Sequence, residues 1–413
     1  MATLLSLGIA LMAGLLMSRA AKPLGLPAVT GYLVAGILIG PYCLGQFQLP
    51  GLGFISHSNV ESFEIISNVA LGFIAFSIGN EFRLEQLKHT GKRATAIAFC
   101  EALGAAVVVD VVLLILHLLI PEVLTVPMAI SLGAISTATA PAATLMVVKQ
   151  YKAKGPVTDV LLPVVALDDA ICIVVFAISF GVAKAMTAGE FDFISIVVNP
   201  ALQIILSVAM GSLVGYCFSF LEKFFHSRSK RLSLSIGFVI LTVGLSAFEI
   251  PVGPVTISFS PLLCCMMLGT IFCNICDFSA ELMEYADRWT APLYVVFFVL
   301  SGAELELDVF KSIYVIIIGL VYIIFRCVGK YYGAGLGSAI TKSEPNIRKY
   351  LGITLFPQAG VALGMSMQVG DLGEDGDLVR NIILFGVLVY ELVGPTLTKI
   401  SLKKAGEITP KEA

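Results

Sequence analysis

Apolar runs of about 20 residues recur along the whole chain, and a helix needs this length to cross the hydrocarbon core of a bilayer. The chain has 413 residues with a mean hydropathy of +0.93. Of these residues, 57% are hydrophobic and only 13% are charged, whereas about a quarter of the residues in soluble domains are charged. The sequence therefore predicts an all-α polytopic membrane protein with no room for a sizeable soluble domain.

Thirteen runs are candidate spans, with ends defined to within a few residues. They lie at approximately 3–20, 27–43, 63–82, 93–119, 126–149, 157–185, 194–222, 231–249, 255–275, 286–303, 309–338, 349–370 and 378–400. Lys and Arg are enriched in cytoplasmic loops. Of the 26 Lys and Arg residues, 21 lie in loops and tails on one predicted side of the membrane, and three lie on the other side. We expect a multi-pass protein of the plasma (inner) membrane, with the N-terminus outside and the C-terminus cytoplasmic.

A short motif, Gly-x-Glu-x-x-Leu, occurs twice with an offset of 223 residues. The same offset relates three pairs of landmarks: Glu81 and Glu304, Thr137 and Gly360, and Asp168 and Glu391. The related runs are seven spans apart, so they cross the bilayer in opposite directions. This is an inverted-topology repeat, in which paired interrupted helices near the midplane form the binding site of many transporters.

The repeat implies a single integral membrane domain. We place repeat one at approximately 23–185 and repeat two at approximately 250–405, joined by a helix at approximately 194–222.

The fifth and twelfth runs contain helix-breaking residues. Pro141 in the fifth run, and Pro357 with Gly360 in the twelfth, remove backbone donors or loosen the helix. Three hydroxyl side chains beside the first break can satisfy the freed backbone groups or coordinate a cation: Ser136, Thr137 and Thr139. We expect the two breaks to cross; a proline kink that serves only packing is the alternative.

Two adjacent acids, Asp168 and Asp169, lie inside the sixth run. An ionisable group at membrane depth is costly and indicates a functional site, and two adjacent carboxylates cannot easily both be charged there. On a helix they project about 100° apart, so one can be paired while the other faces a cavity. Arg326 is the expected partner of Asp168, with Lys330, one turn away, as the reserve candidate. The alternative for both basic residues is snorkelling to the interface.

The sequence gives less specific predictions for the remaining intramembrane acids. Asp110 either pairs with a polar neighbour or joins an ion path, and Glu391 has a structural role. Glu101 lies a turn or two inside the fourth run, and Glu81 and Glu304 are interfacial.

The chain resembles the monovalent cation/proton antiporter superfamily, in particular the bacterial sodium/proton antiporters of its second branch. The resemblance covers nearly the whole chain. Its motifs are the Asp168-Asp169 pair, the hydroxyl-rich break before it, the Arg326-x-x-Gly329 pattern, Phe297-Phe298 through Gly302, and the stretch from Phe356 to Ala362.

The resemblance implies that Asp169 alternately binds a proton and the transported Na⁺ or Li⁺, so that Asp168 and Asp169 are its metal ligands. Asp168 would pair with Arg326, while Thr137 and Thr139 line the site. In this family an Asp-Asp pair goes with electrogenic exchange. The resemblance also implies a homodimer in which one part of each protomer is a scaffold and the other moves like an elevator.

The expected function is secondary active exchange of Na⁺ or Li⁺ for protons, with no cofactor, no enzymatic activity and no nucleic-acid partner. Two alternatives are a potassium/proton antiporter and a sodium-coupled organic anion symporter of similar fold. The paired acids favour a cation over an anion. Nothing resembles a channel's carbonyl filter, and no His-Glu-x-x-His motif indicates a membrane enzyme. The absence of a nucleotide-binding domain after residue 400 disfavours the potassium-efflux members.

Overall fold

The structure is a computed structural model. It describes residues 2–24, 28–48, 53–54, 56, 60, 62–140, 144, 147–148, 151–189, 198–252, 255–276, 278–305 and 311–408. The α-helices of the described residues are α1 (Ala2–Ala21), α2 (Ala28–Ile39), α3 (Glu64–Glu81), α4 (Leu84–His117), α5 (Val126–Ser136), α6 (Pro156–Thr187), α7 (Asn199–Glu222), α8 (Arg228–Ser246), α9 (Pro261–Ile275), α10 (Ser279–Ala303), α11 (Ile313–Ile340), α12 (Pro345–Thr354), α13 (Gly360–Gln368) and α14 (Glu374–Lys404). Strands β1 (Ile250–Val252) and β2 (Val255–Ile257) form an antiparallel hairpin.

Each of the thirteen predicted runs coincides with one helix or with an interrupted pair of helices. Among the described residues, eight helices are long and apolar enough to cross a membrane. Shorter apolar helices include α5 and α9. The twelfth run is split into α12 and α13, and the fifth run leaves its helix after Ser136. The prediction of an all-α polytopic membrane protein with two interrupted helices is confirmed.

Three predicted starts are wrong by six residues or more, and one of them is that of the tenth run, which was predicted from 286 and begins at Ser279. The ninth run does not begin a helix at 255, because Val255, Thr256 and Ile257 pair with β1 as a strand, in keeping with the β propensity of β-branched residues. The helix starts at Pro261, where the Ser260 hydroxyl accepts the amide of Leu263. The helix of the fourth run begins at Leu84 and not at 93. Gly91 interrupts it after its polar first turns with a φ of 74°, a conformation that suits glycine.

The helices divide by their contacts into two groups. The core bundle contains α4, α5, α6, α11, α12, α13 and α14, and the flanking bundle contains α1, α2, α3, α7, α8, α9 and α10. Within the core bundle α4 and α11 pack along their length, because glycines let the backbones approach. A Cβ added to Gly329 would lie 2.6 Å from the Ala105 Cα, and one added to Gly333 would lie 2.8 Å from the Glu101 Cα.

The packing repeats in the two halves of the chain. Helix α4 contacts α5 and α6, as α11 contacts α12 and α14. In the flanking bundle α2 contacts α10, as α9 contacts α3. Shifted by the predicted offset, the end of α4 at His117 falls on the end of α11 at Ile340. This pairwise correspondence is the packing that a two-fold repeat predicts.

Candidate functional site

The two helix breaks cross and hydrogen-bond directly to each other. The amide of Ala140 donates to the carbonyl of Pro357 over 2.8 Å. The Gln358 side-chain amide donates to the carbonyl of Ile135 over 2.9 Å, and these two residues are 223 positions apart. The predicted crossing of two interrupted helices is therefore present. Gly360 begins α13 after the second break, and Pro141 lies outside the described residues.

The hydroxyls at the first break turn back onto their own helix. Ser136 Oγ donates to the carbonyl of Gly133, and Thr137 Oγ1 donates to that of Ala134, each over 2.6 Å. These bonds give partners to carbonyls in the last turn of α5, and the Ala134 carbonyl also accepts the amide of Thr137 over 3.2 Å. Ser136 and Thr137 lie at the crossing, as predicted, and both are buried. Each hydroxyl donates its proton to the helix end and keeps its oxygen lone pairs, so the prediction that these residues line an ion site stays a prediction.

Arg326 on α11 joins the two breaks. Its Nε donates to the carbonyl of Ser136 over 2.9 Å, and a terminal nitrogen donates to that of Phe356 over 2.7 Å. The other terminal nitrogen donates to the carbonyl of Ala138. The guanidinium also lies over the Tyr390 ring, 4.5 Å from its centroid. A fully buried cation thus balances the negative ends of the two half-helices.

Arg326 does not form the ion pair with Asp168 that the sequence predicts; the reserve candidate, Lys330, forms it. Lys330 Nζ lies 3.0 Å from Asp168 Oδ2. The physical reason is the geometry of the donors. The planar guanidinium fork can serve three carbonyls that point in different directions, while the ammonium one turn away is a compact charge. Lys330 is fully buried and does not snorkel.

Lys330 is the centre of a buried polar cluster. Besides Asp168, its ammonium lies 2.8 Å from Glu101 Oε2 and 2.9 Å from Thr139 Oγ1, and it donates to the carbonyl of Thr137. Thr139 in turn donates to Asp168 Oδ2. The side chains of Glu101, Asp168 and Lys330 are all fully buried. We call these three residues the charge cluster.

The second carboxylate oxygen of Asp168 is free in the structure as described. Asp168 Oδ1 is buried and has no hydrogen-bond partner among the described residues. Such an oxygen is the type of ligand that a small hard cation takes. Asp169 follows on the same helix, but its side chain lies outside the described residues.

The other intramembrane acids lie apart from the charge cluster. The Asp110 carboxylate packs against Gly133, where an added Cβ would lie 1.7 Å from its Oδ1. Glu391 accepts a hydrogen bond from Thr30 of α2 over 3.3 Å, which connects the core bundle to the flanking bundle. Glu304, at the end of α10, lies 3.8 Å from Arg380 of α14, and the side chain of Glu81 lies outside the described residues.

The contact of Glu101 with Lys330 was not predicted from the sequence. Its carboxylate reaches Lys330 only because α4 and α11 are nearly in backbone contact. The signal for that contact was present as Gly329, Gly333 and Gly337, spaced four residues apart on α11, a small-residue pattern typical of close packing between membrane helices.

Comparisons with known proteins give a family and a fold for this chain. A family model described as "Sodium/hydrogen exchanger, transmembrane" matches residues 7–404. The structure is similar to that of the sodium proton antiporter MjNhaP1 from Methanocaldococcus jannaschii at pH 8, with a TM-score of 0.74 and 20% identity over 98% of this chain and 99% of that one. An electron-microscopy structure of the same antiporter gives a TM-score of 0.67 at 18% identity, over 98% of each chain.

Curated relatives match over a short stretch. The Cation/H(+) antiporters 17 and 20 of Arabidopsis thaliana are 35% and 34% identical to this chain over 77 residues, which is 19% of this chain. The matched stretch spans only 9% of the length of each of those relatives.

Proposed function

The chain belongs to the sodium/hydrogen exchanger family, and from that premise we propose that it exchanges a monovalent cation, Na⁺ or Li⁺, for protons across the membrane. The observation that carries the proposal is the Asp168 carboxylate. It is fully buried where the two breaks cross, with one oxygen paired to Lys330 and the other free. A cation can bind there only by competing with the ammonium and with protons, and this competition is the requirement for exchange.

The chemistry follows from the cost of buried charge. Without a cation, Asp168 is neutralised by Lys330, and we assign the exchangeable proton to Asp169. When the cation arrives, Asp169 releases its proton, and both carboxylates face the ion. Asp168 Oδ1, the side chain of Asp169 and a backbone carbonyl at the first break are the proposed ligands. The ion is cargo, and no cofactor takes part in this scheme.

We further propose that the exchange is electrogenic, with more than one proton per cation. The two repeats run at approximately 23–185 and 250–405, joined by the helix at approximately 194–222. We propose that the protein is a homodimer in the plasma (inner) membrane, with its N-terminus outside and its C-terminus cytoplasmic. The distribution of basic residues supports this orientation.

Proteoliposomes with an imposed pH gradient test the function. Addition of Na⁺ or Li⁺ should dissipate the gradient in the wild type, and Asp169→Asn should abolish the effect while the protein stays folded. Asp159→Asn is the matched control, because Asp159 lies on the same helix but is exposed and should leave exchange intact. Exchange retained by Asp169→Asn would refute the assignment of the carrier carboxylate.

The same vesicles decide between the alternatives. A potassium/proton antiporter would dissipate the gradient with K⁺ and not with Na⁺ or Li⁺. A sodium-coupled anion symporter would leave the pH gradient unchanged with any of these cations and would accumulate a labelled organic anion when Na⁺ is present.

A further inference from the structure

Glu391 is a buried acid that the exchange scheme above does not use. It lies near the middle of α14, and only 1% of its surface is exposed. The hydroxyl of Thr30 on α2, which is also 1% exposed, donates to its Oε2 over 3.3 Å. We call this pair the interbundle contact, because α14 belongs to the core bundle and α2 to the flanking bundle. An acid at membrane depth is costly and indicates a function.

The described residues form no ion pair with Glu391. Arg326 lies over the ring of the preceding residue, Tyr390, and adjacent residues on a helix project about 100° apart. Lys330 is committed to the charge cluster. An ionised Glu391 would therefore be an unpaired buried charge, which a single hydroxyl cannot offset, and such a group binds a proton instead. Glu391 is protonated in this arrangement of the bundles.

Helix α14 packs against α2, α5, α11, α12 and α13, and their described residues place no other titratable group against Glu391. Helices α5 and α13 contain no titratable side chain, and α12 meets α14 near its end, where Ser401 donates to the carbonyl of Tyr350. Titratable side chains of the remaining neighbours contact other groups: Tyr32 contacts Phe298, Arg326 and Cys327 contact Tyr390, and Asp371 contacts Lys184. Burial and the Thr30 hydroxyl therefore determine whether Glu391 holds its proton.

The interbundle contact joins two rigid parts of the molecule. Helix α2 is held against α10, because a Cβ added to Gly302 would overlap the carbonyl oxygen of Leu33. Helix α14 is held against the second break, because a Cβ added to Gly394 would lie 2.9 Å from the Cγ of Pro357. A site that opens to one side of the membrane at a time needs one bundle to move against the other. Such a movement must break the interbundle contact or rearrange it.

We propose that Glu391 is a positioning residue that makes the movement of the core bundle depend on pH. With its proton bound, Glu391 stays buried against Thr30 and stabilises the present arrangement. Without its proton, the carboxylate favours an arrangement in which water reaches this part of α14. The inference rests on the proposed function, because it assigns to exchange a residue that lies outside the ion site.

The direction of the effect follows from proton linkage. The present arrangement binds one proton at Glu391, whereas an exposed glutamate is ionised at neutral pH. Acid conditions therefore favour the present arrangement and alkaline conditions favour the moved one, by up to about tenfold per pH unit for one proton. The proton passes to the water admitted between the bundles. A proton from that same water restores the neutral acid, so Glu391 adds no net proton to the transport cycle.

The first test is amide hydrogen exchange of the protein in proteoliposomes without Na⁺ or Li⁺. Peptides that cover α2 and the middle of α14 are followed from about pH 5 to about pH 8. Glu391→Gln fixes the neutral form, and the ratio of the wild-type rate to the variant rate at each pH removes the intrinsic pH dependence of exchange. We expect this ratio to rise with pH, by up to about tenfold per unit. A ratio that is the same at every pH overturns the inference.

Three further variants control this result. Asp110→Asn is the matched control, because Asp110 is an intramembrane acid that packs against Gly133 within the core bundle, and the same ratio formed with it should not change with pH. Thr30→Val removes the donor and should speed exchange at the acid end of the range by roughly two- to tenfold, the worth of one hydrogen bond; unchanged exchange overturns the role of the contact. If Glu391→Gln does not fold, Glu391→Leu, which is also uncharged, takes its place with the same expectation.

The second test separates this inference from the proposed function. It measures exchange of labelled for unlabelled Na⁺ across proteoliposomes, with saturating Na⁺ and equal pH on both sides, so that protons do not compete for Asp169. The wild-type rate should rise with pH, and the Glu391→Gln rate should not. A wild type that exchanges Na⁺ with the same pH dependence as Glu391→Gln refutes this inference alone. A wild type that moves neither Na⁺ nor Li⁺ refutes the proposed function, and with it the role of Glu391 in transport.

Discussion

Replacement of Arg326 by Gln should weaken the crossing of the two breaks, and the loss can be worked out from the contacts. The guanidinium serves three buried carbonyls, those of Ser136, Ala138 and Phe356. A buried polar group left without a partner costs about 1–3 kcal/mol. The shorter amide of Gln can serve one carbonyl, so two are orphaned, which costs about 2–6 kcal/mol.

Two further terms act in opposite directions. The cation–π contact with Tyr390 is lost, and such a contact is worth about 2 kcal/mol when it is desolvated. Removing a fully buried cation recovers part of its desolvation cost. We therefore expect a net loss of about 3 kcal/mol. For a chain of 413 residues, an unfolding entropy of about 2.1 cal/mol/K per residue converts this loss into a fall in Tm of about 3–4 °C.

The assay is thermal unfolding of the detergent-solubilised protein, followed by size-exclusion chromatography of the fraction that stays folded. Arg288→Gln is the matched control, because Arg288 is 71% exposed and pairs with Glu284 one turn away, a type of pair worth about 0.3–0.5 kcal/mol. Arg326→Lys should fall between the two, since an ammonium cannot reach three divergent carbonyls. If Arg326→Gln unfolds within about 1 °C of Arg288→Gln, against the shift derived above, then Arg326 does not hold the breaks together.

Three further predictions concern other contacts of the core bundle. In double-mutant cycles on the same thermal assay, Asp168→Asn and Lys330→Gln should couple by about 1 kcal/mol or more, because the two side chains are in direct contact. Asp168→Asn and Arg326→Gln should couple more weakly, and the reverse order would restore the pairing first predicted. Gly329→Ala should destabilise the protein, because the new Cβ would lie 2.6 Å from the Ala105 Cα. Gly335→Ala on the same helix is the control, since its Cβ meets nothing closer than 3.8 Å and the change should be neutral or stabilising. Equal Tm values for the two variants would contradict the close packing of α4 and α11. Glu407→Gln should lower the free energy of unfolding by about 1 kcal/mol, because the Glu407 carboxylate accepts the amides of Val157 and Thr158 at the start of α6 over 2.6 and 2.9 Å. Hydrogen exchange at those two amides should be faster in this variant than in Glu374→Gln, an exposed control. Unchanged exchange would show that Glu407 does not cap α6.

The sequence was sufficient for features that depend on hydropathy and register. Apolar runs located the helices, and the offset of 223 residues matched Ile135 to Gln358, which meet at the crossing. The ion pair was not predictable in the same way. Residues four apart on a helix share a face, so position alone could not choose between Arg326 and Lys330. The choice depends on three carbonyls that lose their helical partners at the breaks, and those carbonyls have no signature in the side-chain sequence.

Glu101 was missed for a related reason. Its position near the start of the fourth run suggested nothing beyond a partly shielded acid, because its partner is 229 residues away on another helix. Only the glycine-mediated approach of α4 to α11 brings its carboxylate to Lys330. The start of α9 was misplaced because hydropathy does not separate a short strand of β-branched residues from a helix.

The two halves of the predicted repeat have corresponding helix contacts and different chemistry. The acids of the site and the hydroxyl of Thr139 come from the first half of the chain, and both cations, Arg326 and Lys330, come from the second. Opening the site between the halves would therefore leave buried charges of both signs without partners, which is far more costly than separating neutral surfaces. The close packing of α4 on α11 opposes such an opening as well. The described polar contacts between the core and flanking bundles include the 3.3 Å bond from Thr30 to Glu391 and the Arg380–Glu304 pair, whose side chains are 21% and 14% exposed. We therefore expect the cation to gain access by movement of the core bundle against the flanking bundle, with the charge cluster kept intact on one rigid side.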